Sequence, residues 1–199
     1  MVPAVIALLR FRRIGMNYYP FIILLWIGAC NEIITHYVAT RNNAINSNIY
    51  TLLEGLLILT FFSRLKLFDN NPLFYRLLLV LMVVWWIIEA VLVNPAKVFL
   101  SHYIIGHSLV IALLSVQMIS RLVGQHIKNL WKQPVFLICF CFVIYFTYAI
   151  LVEIFWKYNL FSSSFKANVQ LIMSIINIIT NLVFALAILW IPKRQEYFL

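Results

Sequence analysis

Carboxylates inside apolar segments are the side chains of this 199-residue chain with the greatest capacity for chemistry. Four of its six acidic residues interrupt such segments, and these are Glu32, Glu54, Glu89 and Glu153. Placing an ionisable side chain in the centre of a bilayer costs roughly 2.5–3.5 kcal/mol on insertion scales, so an intramembrane acid is a functional-site candidate by default. We therefore predict that these glutamates belong to a binding site.

Imidazole and amide groups accompany the glutamates. His36 follows Glu32 by four residues, which places both on one helical face, and Asn177 and Asn181 have the same spacing. We expect these side chains to line one polar chamber between the helices. A chamber of this composition favours a cation, a proton or a small amine. The sequence leaves catalytic residues, metals and cofactors unassigned. The predicted ligand-binding set is Glu32, His36, Glu54, Glu89, His107, Glu153, Asn177 and Asn181.

A purely structural interpretation competes with the binding site. Glu89 and Glu153 lie near the ends of their apolar segments, where a long side chain can reach water. Asn177 and Asn181 are of a type that joins neighbouring membrane helices by hydrogen bonds. The structural interpretation is weakest for Glu32 and Glu54, which are deeper and flanked by apolar residues.

The segments that carry these residues have the composition of membrane spans. Apolar residues make up 64% of the chain and charged residues 11%, whereas soluble proteins carry about 25% charged residues. We predict an all-α polytopic membrane helix bundle that forms a single transmembrane domain over residues 1–199, with residues 1–18 as an interfacial N-terminal stub. Six segments approach the ~20 residues that a membrane helix needs, at 19–40, 48–63, 73–94, 100–120, 135–156 and 168–191. Prolines open three of them, at Pro20, Pro72 and Pro134.

The basic residues predict the orientation, because Lys and Arg beside spans are retained in the cytoplasm. Alternate loops divide the fifteen Lys and Arg into eleven on one side and four on the other. The larger set is Arg10, Arg12, Arg13, Arg64, Lys66, Arg76, Arg121, Lys128, Lys132, Lys193 and Arg194, and the smaller is Arg41, Lys97, Lys157 and Lys166. We therefore expect both termini in the cytoplasm, and the plasma (inner) membrane as the location.

The net charge of +9 follows from this orientation. A basic cytoplasmic rim binds anionic lipids, so the predicted partners are the lipid bilayer and its anionic headgroups, with no nucleic acid. We also expect a protein partner or a homo-oligomer, because the chain has no soluble domain through which to act.

Three classes of function remain open. The preferred one is a receptor-like sensor or accessory subunit with an outward-facing polar pocket; a purely structural subunit would show the same spans. An intramembrane metal-dependent lipid hydrolase is an alternative, although His102 and His107 are five residues apart and do not share a helical face. A small transporter or channel is another, although five glycines without a Gly-x-x-x-Gly motif predict continuous helices.

Overall fold

The computed structural model describes residues 1–37, 43–93, 98–125, 129–158 and 163–192, without the side chains of 92, 93, 163, 164 and 166. The regular elements within these ranges are helical, which confirms the predicted all-α class. The α-helices described are α1 Val2–Arg10, α2 Tyr19–Tyr37, α3 Ala44–Arg64, α4 Pro72–Ile88, α5 Ser101–Gly124, α6 Pro134–Lys157 and α7 Ser163–Trp190.

Six of these helices are long and apolar enough to cross a membrane, so the chain is a multi-pass membrane protein. Their spanning segments are Met16–Tyr37, Ala44–Arg64, Pro72–Val91, Ser101–Gly124, Pro134–Lys157 and Ala167–Trp190. The predicted boundaries agree to within a few residues, except that the predicted ends at 40 and 94 lie outside the described residues. Helix α1 has nine residues, a length of roughly 13 Å that is too short to cross a ~30 Å hydrocarbon core.

The prolines begin helices as predicted. Pro72 and Pro134 are the first residues of α4 and α6, and Pro20 lies in the first turn of α2. A first-turn position suits proline because its missing N–H would have no partner within the helix there. The Asn71 side chain caps α4 by accepting the backbone N–H of Phe74 at 3.2 Å.

The chain divides into two compact units, and the division falls within α5. The first unit, Gly15–His107, contains α2, α3, α4 and the first two turns of α5. Helices α2 and α3 are joined by aromatic rings and by amides. The Phe61 ring lies 5.6 Å from that of Phe21, and Asn46 donates from Nδ2 to Asn31 Oδ1 at 2.6 Å.

The second unit consists of Met1–Ile14 and Ser108–Leu199, and contains α1, the rest of α5, α6 and α7. Phe142 of α6 contacts Phe184 of α7, with 5.7 Å between ring centroids. Arg10, at the end of α1, donates from Nη1 to the carbonyl oxygen of Ile188 at 2.7 Å. This carbonyl is in the last turn of α7, where the helix dipole favours a cation, so Arg10 ties α1 to the end of α7.

The predicted orientation depends partly on Lys and Arg residues that lie outside the described ranges. The backbone of Lys166 is described but its side chain is not. The assignment of both termini to the cytoplasm and of residues 1–18 to the interface therefore stays a prediction. Of the Lys and Arg residues that predict the orientation, those outside the described ranges are Arg41, Lys97, Lys128, Lys193 and Arg194.

Candidate functional site

A buried carboxylate and a buried imidazole meet between α3 and α5. Glu54 is 9% exposed and His107 is 2% exposed. The Nε2 atom of His107 lies 3.6 Å from Oε2 of Glu54, which is within ion-pair range but longer than a hydrogen bond. We call these two residues the Glu54 pair.

The other ring nitrogen of His107 defines where the protons lie. Nδ1 is 2.9 Å from the carbonyl oxygen of Ile104. Because a carbonyl oxygen only accepts, Nδ1 must donate and therefore carries a proton. A neutral imidazole in this tautomer has a lone pair on Nε2, which would face the carboxylate as one acceptor against another. One additional proton, on Nε2 or on Glu54, converts this repulsion into an attraction.

Tyr50 occupies the second oxygen of the carboxylate. Its hydroxyl donates to Glu54 Oε1 at 3.0 Å, four residues away on the same helix. A Cβ on Gly28 of α2 would lie 3.4 Å from the Tyr50 hydroxyl oxygen, which is ordinary van der Waals contact. The two carboxylate oxygens of Glu54 therefore face different partners, and only the one beside His107 depends on an added proton.

Two glycines allow the rings around the Glu54 pair to pack closely. A Cβ on Gly55 would lie 3.2 Å from the sulfur of Met82, and 3.5 and 3.6 Å from His107 Cδ2 and the Tyr103 hydroxyl. A Cβ on Gly106 would overlap the Trp85 ring. Tyr103 is stacked on His107 with 5.3 Å between centroids and an interplanar angle of 7°. The imidazole is therefore held in one orientation.

Glu89 has a structural partner of a different kind. Its carboxylate accepts the backbone N–H of His102 at 3.1 Å and that of Tyr103 at 2.6 Å. These N–H groups belong to the first turn of α5, where helical donors have no partner within the helix. The His102 ring nitrogen Nδ1 is 3.2 Å from Glu89 Oε1. We call this arrangement the Glu89 cap, and Glu89 itself is 2% exposed.

A change of helix type places Glu89 for this role. Helix α4 ends at Ile88, and Glu89–Val93 form a π-helical turn. The wider π-turn changes the direction of the side chains that follow α4, and such turns are frequent at functional sites. The carboxylate at its start thus meets the N-terminus of α5.

Asn48 holds the backbone just before α5, at Val98 and Leu100. Its Nδ2 donates to the carbonyl oxygen of Val98 at 2.8 Å, and its Oδ1 accepts the N–H of Leu100 at 3.2 Å. The Trp86 indole donates to the backbone carbonyl of Asn48 at 2.9 Å. Leu100 and Tyr103 pack with Ala90 in a buried apolar cluster beside these bonds. The start of α5 is therefore fixed by Asn48 as well as by the Glu89 cap.

The remaining predicted residues lie in other environments. Glu32 and His36 are exposed on α2, and His36 has its ring edge-on to Tyr37 at 4.8 Å. Glu153 is half-buried on α6, in the second unit. The predicted single chamber draws on residues of both units and stays a prediction.

The two asparagines of α7 are also in the second unit. Asn177 is exposed and Asn181 is half-buried. Asn181 donates from Nδ2 to both the side-chain and the backbone oxygens of Asn177, each at 2.9 Å. The predicted common face of these two residues is present in α7.

The alternative of a metal-dependent hydrolase requires a cluster of metal-ligating side chains. Across the described ranges, no group of three or more His, Cys, Asp and Glu side chains is arranged to hold a metal ion. His102 and His107 contact different glutamates, as their spacing of five residues predicts. The structure pairs each of these histidines with a carboxylate instead of collecting them at one centre.

Sequence reasoning missed Tyr50, Tyr103 and Asn48. Tyr50 precedes Glu54 by four residues and Tyr103 precedes His107 by four, so the i, i+4 spacing could have identified both. Asn48 is an amide at the start of a predicted span, and a polar residue there needs a partner in an apolar environment.

Comparison of the chain with protein-family models, curated proteins and solved structures finds no match.

Proposed function

We propose that this protein is a proton-responsive sensor or accessory subunit of a membrane assembly, and that the Glu54 pair is its proton-binding site. The observation that carries the proposal is the donor role of His107 Nδ1 toward Ile104, which aims Nε2 at Glu54 Oε2. The pair is attractive when it holds one additional proton and repulsive when it does not.

The charge of the pair explains how the proton would act on the fold. With the additional proton, the pair is neutral overall, either as imidazolium with carboxylate or as imidazole with carboxylic acid. Without it, a net charge of −1 stays between α3 and α5 in a buried environment. An uncompensated buried charge costs several kcal/mol, so proton loss favours separation of Glu54 from His107.

The structure describes several groups around the pair. Helix α3 contributes the Tyr50 hydroxyl. Helix α5 contributes the Tyr103 ring, which stacks on His107, and the Tyr103 hydroxyl and the Met82 sulfur of α4 lie beside Gly55. Tyr50 and Tyr103 are the titratable neighbours in this set, and both are neutral phenols at physiological pH. Among these groups, only the Glu54 pair combines a carboxylate with an imidazole.

Helix α3 offers a route from the pair to a partner. It ends with Arg64 in its last turn, and Lys66 follows in the turn beyond it. Both side chains are exposed. A shift of α3 on proton loss would move these basic groups, which a separate protein could detect.

Thermal unfolding across pH tests the proposal. If the folded state holds one proton more than the unfolded state, raising the pH removes about 1.4 kcal/mol of stability per pH unit, which corresponds to roughly 3–5 °C in Tm for a chain of this size. Glu54→Gln supplies an NH₂ group that donates to Nε2 without an additional proton. We expect the wild-type Tm to fall as pH rises, and the Tm of Glu54→Gln to vary much less with pH.

Glu32→Gln is the matched control, because it removes the same charge from an exposed position on α2 in the same unit. It should keep the wild-type pH dependence. ¹⁵N NMR of the histidine rings gives an independent measurement, in which His107 should show a proton on Nδ1 at high pH and on both nitrogens at low pH. A pH-independent wild-type Tm, an equal effect of Glu32→Gln, or an Nε2–H tautomer at high pH would contradict the proposal.

A further inference from the structure

Helix α7 carries a stripe of polar side chains that the proton site does not use. The residues are Gln170, Ser174, Asn177 and Asn181, and we call them the α7 stripe. At 3.6 residues per turn, all four fall within an arc of about 60°. They lie within the segment Ala167–Trp190, which is apolar enough to span a membrane.

The α7 stripe is on the surface of the second unit. Gln170, Ser174 and Asn177 are exposed, and Asn181 is half-buried. Buried residues such as Phe184 and Ile188 hold the end of α7 in its unit. An exposed amide or hydroxyl of the stripe that faced lipid would have no hydrogen-bond partner there.

The side chains of the stripe can make more hydrogen bonds than those formed within it. Ser174 donates to the carbonyl oxygen of Gln170 at 3.0 Å, and Asn181 donates to Asn177. A carboxamide has two N–H donors and an oxygen with two lone pairs, so three carboxamides on one face can make more bonds than these. In a bilayer, such groups are normally satisfied by a neighbouring helix.

We propose that the α7 stripe is the contact surface between two copies of this chain. Its four side chains are uncharged, and each of them both donates and accepts hydrogen bonds. A stripe of this kind is complementary to itself, as a two-fold symmetric interface requires, because the same residues then face each other. A helix that presented charged residues would place ions opposite uncharged amides and would match the stripe less well.

Single-molecule photobleaching of labelled protein in liposomes tests this proposal by counting subunits. We expect dimers for the wild type, and a dissociation constant raised about tenfold for Asn177→Ala/Asn181→Ala. The matched control is Ile172→Ala/Ile179→Ala, which truncates two exposed side chains on the opposite face of α7 and should leave the dimer intact. Circular dichroism would establish that both variants keep the helical content of the wild type.

Disulfide trapping locates the interface. In a background with the exposed Cys30 replaced by Ser, Ser174→Cys should form a cross-linked dimer under mild oxidation, whereas Ile172→Cys should not. Wild-type monomers in liposomes would overturn the proposal and leave a different protein as the occupant of the stripe. A dimer that is unaffected by the asparagine substitutions, or that is trapped through Ile172→Cys, would also overturn it.

Discussion

In the imidazole of His107, the hydrogen bond made by one ring nitrogen determines whether the other nitrogen carries a proton. The contact with the Ile104 carbonyl uses the proton on Nδ1 and so directs the Nε2 lone pair at Glu54. A flip of the ring would exchange Nδ1 with Cδ2 and Nε2 with Cε1, so carbon atoms would face the Ile104 carbonyl and Glu54. The observed orientation places a nitrogen at each of these contacts, and the nitrogen beside Glu54 is an acceptor until another proton arrives.

The site also depends on Gly55 and Gly106, because neighbouring side chains lie close to both glycines. Trp85 stands edge-on to Tyr103 at 6.3 Å and lies over Gly106, and Tyr103 in turn stacks on His107. The rings thus form a sequence of contacts that begins at α4 and ends at the Glu54 pair. A methyl group at either glycine would disturb these ring contacts.

Gly106→Ala is expected to destabilise the protein by about 1–3 kcal/mol, because the new methyl group would overlap the rigid Trp85 ring. Gly124→Ala is the matched control at the other end of α5, where a Cβ meets nothing within 4 Å. It should be neutral or stabilising by up to about 1 kcal/mol. Thermal unfolding in detergent measures both, and equal Tm values for the two variants would refute the role of Gly106.

At the level of elements, the start of α5 has polar support from two other parts of the first unit. The Glu89 cap satisfies two backbone N–H groups of its first turn, and Asn48 binds the segment just before it. A carboxylate at a helix N-terminus also complements the helix dipole. The position of His107 depends on this support, because His107 lies less than two turns from Ser101, where α5 begins.

Glu89→Gln is expected to cost about 1–3 kcal/mol, because an amide nitrogen replaces one of the two accepting oxygens and opposes a backbone N–H. Hydrogen exchange should become faster at the amides of His102 and Tyr103. Glu153→Gln, at a half-buried position of α6 in the other unit, should leave these two amides unchanged. Undiminished protection in Glu89→Gln would show that the carboxylate does not cap α5.

The start of α5 also shows which parts of the site could be predicted. The position of Glu89 inside an apolar segment identified it as a residue that needs a partner. The sequence interpretation assigned it to ligand binding, which stays a prediction, and its observed partners include two backbone N–H groups and the His102 ring. Main-chain donors leave no signature in residue types, so a cap formed across two helices cannot be derived from spacing.

At the scale of the whole molecule, the orientation of the spans is the main prediction. Arg10 contacts the carbonyl oxygen of Ile188, so α1 lies beside the end of α7, and an even number of spans predicts that both are on one side of the membrane. The distribution of Lys and Arg predicts that this side is cytoplasmic.

Epitope tags can test the orientation in intact and permeabilised cells. A tag after residue 199 should be detected only after permeabilisation, whereas a tag inserted after Lys97 should be accessible in intact cells. The two tags serve as controls for each other, because six spans place them on opposite sides. Detection of the C-terminal tag in intact cells would contradict the predicted cytoplasmic location.

The sequence by itself determined the six spans, their proline-marked starts and the candidate glutamates, because the length of an apolar run, proline at a helix start and a charge in lipid each have local causes. The contact of Glu54 with His107, the cap that Glu89 forms on α5 and the exposure of Glu32 are visible only in the folded protein. These outcomes depend on how each helix is rotated about its axis and which helices are neighbours. Rotation and neighbours are set by packing among many residues, such as Trp85 against Gly106, and no local pattern encodes them.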